Sequence, residues 1–144
     1  MRDFKRLLDT EEYGFLKEHP RLGKRIILLG VGGSYAYGTD NENSDIDFRG
    51  ITLNLPSDLL GLTQFEQFED RDTDTVIYSF NKMVRLLLDC NPNTCEILGL
   101  EKEGYLILTE LGQELLDNRS LFLSKRAARS FSGYAQGQIR RLQN

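Results

Sequence analysis

The sequence predicts an α+β protein built on a small mixed β-sheet flanked by helices, and three observations support this prediction. Residues 25–29 form a short aliphatic, β-branched run that is ended by glycines, as in a buried strand. Residues 45–48 alternate polar and apolar side chains with the period of a strand. Apolar residues in segments 2–18 and 124–142 recur at helical spacing. The length of 144 residues predicts one domain over 1–144.

The first half of the chain carries helix, strand and turn signals in succession. A helix is predicted over residues 2–18, where apolar residues lie near helical spacing, and Pro20 ends it. The strand at 25–29 leads through a glycine turn into the Asp-x-Asp strand, which continues to Leu53. Residues 56–61 predict a short helix or a turn.

The second half is predicted to add three strands and most of the helices. Residues 63–68 are interpreted as a strand, and the acidic side chains between Glu66 and Asp72 as a solvated loop. Side chains that accept hydrogen bonds from a first helical turn are predicted to cap the helices. The remaining predicted elements are a strand at 74–78, a helix at 82–88 capped by Ser79 or Asn81, a helix at 95–100 capped by Thr94, a strand at 105–108, a helix at 109–116 capped by Thr109, and a final helix at 124–142.

The Asp-x-Asp segment predicts a metal and phosphate site. On a strand, Asp45 and Asp47 share one face while Ile46 and Phe48 take the other, so the apolar pair can enter a core and the carboxylates can point into a cleft. Two neighbouring carboxylates repel each other unless a cation lies between them, and Mg²⁺ is the natural partner because it binds carboxylate and phosphate oxygens. The turn at residues 32–34 offers backbone N–H groups and a hydroxyl to a phosphate.

At these residues the chain resembles a known family. The pattern Gly33-Ser34-x-Ala36-x-Gly38, followed by Ser44-Asp45-x-Asp47-x-Arg49-Gly50, is similar to the signature of the DNA polymerase β-type nucleotidyltransferase superfamily. Segments 74–82 and 91–98 resemble its RNA-repair-pathway nucleotidyltransferase subgroup, so the resemblance covers about residues 25–140. It implies a polymerase β palm-like fold, with the carboxylates on adjacent strands at one edge of a cleft. Members of the subgroup are usually longer, which implies a minimal form or one truncated at the C-terminus.

The resemblance also implies the reaction and its metal. An acceptor hydroxyl attacks the α-phosphorus of an NTP and pyrophosphate leaves, with Mg²⁺ or Mn²⁺ as the cofactor. Asp45 and Asp47 are expected to bridge two metal ions. Asp74 is expected to be the third catalytic and metal-binding carboxylate, near the acceptor hydroxyl, and Asp72 is its rival because it has the same parity along the chain.

Four further residues are candidates for binding the nucleotide. Gly33 and Ser34 are expected to hold the β- and γ-phosphates, as the resemblance implies. Arg49 and Lys82 are candidates for added positive charge. The acceptor stays open between an RNA 3′ end, a protein hydroxyl and a small molecule. The competing hypothesis is a non-catalytic module that senses a nucleotide or binds a partner.

Composition limits the remaining function classes. The formal net charge of −4 argues against a surface that coats nucleic acid, although it leaves room for a local basic groove. Cys90 and Cys95 lack the spacing of a zinc or redox motif and are predicted to be buried free thiols, as expected in the cytoplasm. No apolar run approaches the ~20 residues of a membrane span, so no membrane partner is expected.

Overall fold

The computed structural model describes residues 4–36, 38–39 and 45–143, and its centre is a five-stranded mixed sheet. The strands are β1 (Ile26–Val31), β2 (Phe48–Thr52), β3 (Gln67–Asp70), β4 (Thr75–Ser79) and β5 (Tyr105–Leu108). Their spatial order is β3-β4-β2-β1-β5. β2 and β4 run parallel, and the other neighbouring pairs run antiparallel. The predicted α+β fold with a mixed sheet flanked by helices is confirmed.

Eight α-helices and four short 3-10 turns in the described residues surround the sheet. The helices are α1 (Phe4–Leu7), α2 (Phe15–Glu18), α3 (Gly33–Ala36), α4 (Pro56–Leu59), α5 (Phe80–Leu88), α6 (Pro92–Ile97), α7 (Glu110–Asp117) and α8 (Arg126–Leu142). The 3-10 turns cover Glu11–Tyr13, Gly23–Arg25, Lys102–Gly104 and Arg119–Phe122. Within the ranges that the structure describes, no helix has the length and apolar character needed to cross a membrane.

Hydrophobic clusters cover the two faces of the sheet. On the first face, Phe48 and Ile77 pack with the N-terminal segment around Tyr13 and Leu16. On the second face, Ile51 packs under helices α5, α6 and α7. Every residue of β1 is buried, because this strand lies between β2 and β5 and is covered on both sides. The two clusters hold the strand ends that form the site described below.

The predicted helix over residues 2–18 is wrong in its continuity, since the described part of it consists of α1, a 3-10 turn and α2. The backbone of Thr10 is extended, with a ψ of 159°. Its hydroxyl donates a hydrogen bond of 2.7 Å to the carbonyl of Leu7, which ends the first piece. The breaks let aromatic side chains from all three pieces wrap around the first face of the sheet. Apolar spacing alone could not predict these breaks, because the tertiary contacts with the sheet decide them.

The predicted helix caps are confirmed at two of three positions. The Ser79 side chain accepts a hydrogen bond from Lys82 N at the start of α5, and the Thr109 side chain accepts one from Gly112 N at the start of α7. The predicted cap at Thr94 is wrong, because α6 begins at Pro92 and its cap is Asn91. Proline fits the first helical position since it needs no N–H partner there.

The acidic segment between Glu66 and Asp72 is part of a hairpin rather than a loop throughout. The strand predicted at 63–68 begins and ends later, as β3, which includes the acidic residues Glu69 and Asp70. Asp70 accepts hydrogen bonds from the backbone N–H groups of Asp72 and Thr73, which forms the turn into β4.

Cys90 and Cys95 are both free thiols as predicted, and Cys90 is buried while Cys95 is half-buried.

Candidate active site

Three chain segments meet at one edge of the sheet. The end of β1 and the beginnings of β2 and β4 lie there, because β1 is antiparallel to β2 and β2 is parallel to β4. The backbone N–H of Gly32 donates to the carbonyl of Asp47 at 2.8 Å, and the N–H of Phe48 donates to the carbonyl of Asp74 at 3.2 Å. These hydrogen bonds bring Gly33, Asp47 and Asp74 to the same edge.

The central feature of this edge is a contact between two carboxyl groups. Asp47 is half-buried, and its side chain is in hydrogen-bond contact with that of Asp74. Burial, the hydrogen bond with Asp74 and the charge of Asp74 together raise the pKa of Asp47 from 3.8 to about 6, although the charge of Arg49 acts to lower it. A cation bound at this contact would relieve the repulsion that contributes to the raised pKa of Asp47.

Asp45 and Asp47 lie just before β2, so the prediction that both are within a strand is wrong. β1 ends at Val31, and beyond it the N–H of Gly32 pairs with the carbonyl of Asp47, so the strand pairing seen in the described residues stops short of Asp45. The predicted division of side chains is nevertheless confirmed for the apolar pair. Ile46 and Phe48 pack into the cluster on the first face.

The structure brings together two of the three predicted carboxylates. Asp45 is exposed and acts on Asp47 only through its charge. In the part of the chain that the structure describes, no three His, Cys, Asp or Glu side chains converge as ligands for one metal ion. Asp74 contacts Asp47, whereas its rival Asp72 is exposed in the turn between β3 and β4. The assembled core is therefore the pair Asp47 and Asp74, which we call the carboxylate pair.

Gly33 lies directly against the carboxylate pair. Its φ is +60°, a conformation that glycine adopts without steric cost. A Cβ on Gly33 would overlap Oδ2 of Asp47. Ser34 follows in α3, where its carbonyl accepts a hydrogen bond of 3.0 Å from Thr39 N. The carboxylate oxygens of Asp47 and Asp74 are the type of ligand that a hard divalent cation prefers alongside phosphate oxygens.

Arg49 contacts the carboxylate pair rather than an open space. Its guanidinium donates to the carbonyl of Asp74 at 2.6 Å and to Oδ1 of Asp74 at 3.1 Å, and also to the carbonyl of Phe48 at 3.0 Å. Asp74 has a φ of 44°, which is unusual for a residue other than glycine. Arg49 thus holds Asp74 in a strained backbone conformation. Arg49 was predicted to face the same side as Asp47 and to add positive charge for the nucleotide, whereas the structure places its guanidinium against Asp74.

Lys82 is not brought to the carboxylate pair. It lies in the first turn of α5, after the five residues of β4, and Asp74 comes before them. A strand of that length separates its two ends by about 13 Å. The ammonium of Lys82 donates to the amide oxygen of Gln67 and lies 5.9 Å from the ring centroid of Tyr78. Sequence reasoning did not identify Tyr78 or Gln67, although Tyr78 shares the parity of Asp74.

The raised pKa of Asp47 predicts how stability depends on pH when no divalent cation is present. Its folded-state pKa of about 6 lies above the ordinary value of 3.8, so its stabilising contribution is complete below about pH 4 and is lost as the pH rises through 6. Urea unfolding at several pH values should show a decline in wild-type stability, on the order of 1 kcal/mol after solvent screening, that Asp47→Asn lacks. Parallel curves for the two proteins would contradict the assignment.

Comparison with protein families gives one match. Residues 6–144 match the family model described as the RNA repair pathway DNA polymerase beta family. Searches of curated proteins and of solved structures found no significant match. The family match extends over the carboxylate pair, Gly33 and every described strand.

Proposed function

The chain belongs to the RNA repair pathway DNA polymerase beta family, and on this premise we propose that it is a nucleotidyltransferase. It would transfer a nucleoside monophosphate from an NTP to an acceptor hydroxyl and release pyrophosphate. Bound Mg²⁺ or Mn²⁺ would neutralise charge on the triphosphate and make the acceptor hydroxyl more nucleophilic. The carboxylate pair would hold the metal, with Asp45 as a further ligand from its exposed position before β2.

The contact between Asp47 and Asp74 is the observation that carries this proposal. Placing the half-buried carboxyl of Asp47 against that of Asp74 disfavours the ionised state of Asp47. A fold gains nothing in stability from such a pair at neutral pH unless a cation binds there. The guanidinium of Arg49 already contacts Asp74, yet the pKa of Asp47 stays raised. A divalent cation supplies the compensation that this arginine does not.

The nucleotide would enter beside Gly33. A side chain at this position would overlap Asp47, so glycine lets the turn lie directly against the metal-binding carboxylate, where its backbone N–H groups would donate to phosphate oxygens. The hydroxyl of Ser34, one residue on, is the candidate donor to the β- or γ-phosphate. Asp74 would orient the acceptor hydroxyl or take its proton, because it directly precedes β4, the strand on the side of β2 away from β1.

Membership of an RNA repair family favours an RNA 3′ hydroxyl as the acceptor. A ribose 3′ hydroxyl is a suitable nucleophile for the α-phosphorus once a metal lowers its pKa. A protein hydroxyl or a small molecule requires the same chemistry at the carboxylate pair. The molecule that receives the nucleoside monophosphate therefore distinguishes these acceptors, and a labelled NTP identifies it.

Calorimetry tests the first step of this proposal. Titration of each NTP into the protein is expected to show binding in the presence of Mg²⁺ and little or none with a chelator, because the carboxylate pair repels the triphosphate without a cation. Asp74→Asn should lose the Mg²⁺-dependent component, whereas Asp72→Asn, an exposed acid from the neighbouring turn, should keep it. Binding of equal strength with and without Mg²⁺ would contradict the proposal.

A further inference from the structure

The two faces of the sheet next to the carboxylate pair differ in how far they are covered. On the first face, Phe48, Thr75 and Ile77 are all 0% exposed. On the second face, the residues between them in β2 and β4 remain partly accessible. These are Arg49, Val76 and Tyr78, and the aligned positions of β3 add Gln67 and Glu69. A strip of accessible side chains therefore crosses β2, β4 and β3.

This strip begins at the carboxylate pair. Asp47 and Arg49 have the same parity on one chain segment, as do Asp74, Val76 and Tyr78 on the other, so the accessible side chains continue the face on which the carboxyls lie. Tyr78 follows Asp74 by four residues, which corresponds to about 13 Å along the strand. A chain-like ligand whose end is at Asp74 would therefore extend along the strip.

The far end of the strip carries an aromatic ring, a cation and an amide. The Lys82 ammonium lies 5.9 Å from the Tyr78 ring centroid and donates to the Gln67 amide oxygen. Among the residues that the structure describes, no carboxylate forms an ion pair with Lys82. Proteins bind single-stranded nucleic acids with neighbouring aromatic and cationic side chains, because the rings stack on bases and the cations contact phosphates.

We propose that this strip binds the 3′ end of a single-stranded RNA, and we call it the acceptor strip. It consists of Arg49, Val76, Tyr78, Gln67 and Glu69, with Lys82 at its far end. The inference rests on the proposed nucleotidyl transfer and specifies its acceptor subsite. The terminal 3′ hydroxyl lies at Asp74, a base contacts Tyr78, and a backbone phosphate contacts Lys82. The attacking 3′ oxygen forms the bond to the α-phosphorus, its proton passes to Asp74 or to solvent, and pyrophosphate leaves.

The direction of the strip distinguishes the acceptor from the donor. The nucleotide phosphates are proposed to lie beside Gly33, which follows β1. The strip leads away from β1, because it crosses from β2 over β4 to β3 as it follows β4 from Asp74 to Tyr78. Glu69 of β3 is aligned with Val76 beside the middle of the strip, and its charge disfavours a phosphate between the carboxylate pair and Lys82. With one unpaired cation, the strip suits a short contact with one phosphate, which agrees with the acidic net charge of −4.

Fluorescence anisotropy with a labelled single-stranded RNA ending in a 3′ hydroxyl tests the acceptor strip, using the full chain without divalent cation. Lys82→Gln is expected to weaken binding roughly 5-fold and to reduce the slope of log affinity against log salt by about 0.7, the value for one phosphate contact. Tyr78→Leu is expected to weaken binding about 10-fold or more, and Tyr78→Phe to restore it, because the ring makes the contact. Lys102→Gln, in the 3-10 turn before β5, is the matched control and should change neither quantity.

Calorimetry of Mg²⁺–NTP on the same proteins separates the possible failures. Undiminished RNA binding by both Lys82→Gln and Tyr78→Leu, with nucleotide binding intact, would overturn the acceptor strip and leave the proposed function standing. Equal losses of NTP and RNA binding would assign the strip to the donor and also overturn it. Absence of Mg²⁺-dependent NTP binding in the wild type would instead refute the proposed function. If Tyr78→Leu does not fold, the salt slope of Lys82→Gln decides the result.

Discussion

Replacing Asp47 with asparagine is expected to reduce nucleotidyl transfer by roughly 10³-fold while leaving the fold intact. The amide keeps the shape of the carboxyl but cannot balance a divalent cation, so the charge that would form on the triphosphate loses its compensation. The fold should tolerate the change because it removes one of two mutually repelling acids from a half-buried position. Pyrophosphate release under saturating NTP and Mg²⁺ measures the loss.

The matched control for this variant is Asp72→Asn, which removes an equal charge from the exposed turn between β3 and β4. It should retain activity within about twofold, since surface charges distant from a site are screened by salt. Circular dichroism and thermal unfolding establish that both variants are folded. Pyrophosphate release by Asp47→Asn at the wild-type rate would exclude the carboxylate pair from the chemistry.

Replacing Phe48 with alanine is expected to destabilise the protein by about 3–5 kcal/mol, the usual range for a fully buried phenylalanine. The ring is 0% exposed, and its centroid lies 5.3 Å from that of Tyr13 and 6.5 Å from that of Phe4 in edge-to-face geometry. The N-terminal segment and the start of β2 would both lose their main contact. Urea unfolding monitored by circular dichroism measures the change.

Phe131→Ala in α8 is the control for the Phe48 variant, because the same side chain is 45% exposed there. Its cost should stay below about 1 kcal/mol. Since Asp47 directly precedes Phe48 and β2 is the central strand of the sheet, the Phe48 variant should lose Mg²⁺–NTP binding together with its fold, at a lower temperature than the wild type. Equal stability of the two variants would show that the first face of the sheet is not a packed core.

Local sequence signals predicted most of the fold. The aliphatic run that becomes β1 is short and glycine-ended, and Ser79 and Thr109 cap α5 and α7, because these features depend on neighbouring residues alone. The N-terminal helix was predicted as continuous because its apolar spacing fits a helix, but packing against the sheet breaks it at Thr10. Such breaks depend on contacts between distant segments, which a single sequence does not reveal.

The candidate site was predicted in its residue types and less well in its contacts. The family pattern drew attention to Gly33, Asp47 and Asp74, which the sheet topology brings to one edge. The role of Arg49 depends on β2 and β4 being parallel neighbours in a register that places its guanidinium against Asp74. Lys82 seemed a candidate by charge alone, and the length of β4 moves it to the other end of the sheet.

Nucleotidyl transfer to an RNA 3′ hydroxyl is tested most directly by transfer of label from an α-³²P-labelled NTP to a single-stranded RNA in the presence of Mg²⁺. RNA ending in a 3′ hydroxyl is expected to gain label, and RNA ending in a 3′ phosphate is expected to gain none. The Asp47→Asn variant is expected to label neither RNA. Label on the 3′-phosphorylated RNA would contradict the predicted nucleophile. Absence of label on RNA, with label on a protein or a small molecule instead, would contradict RNA as the acceptor.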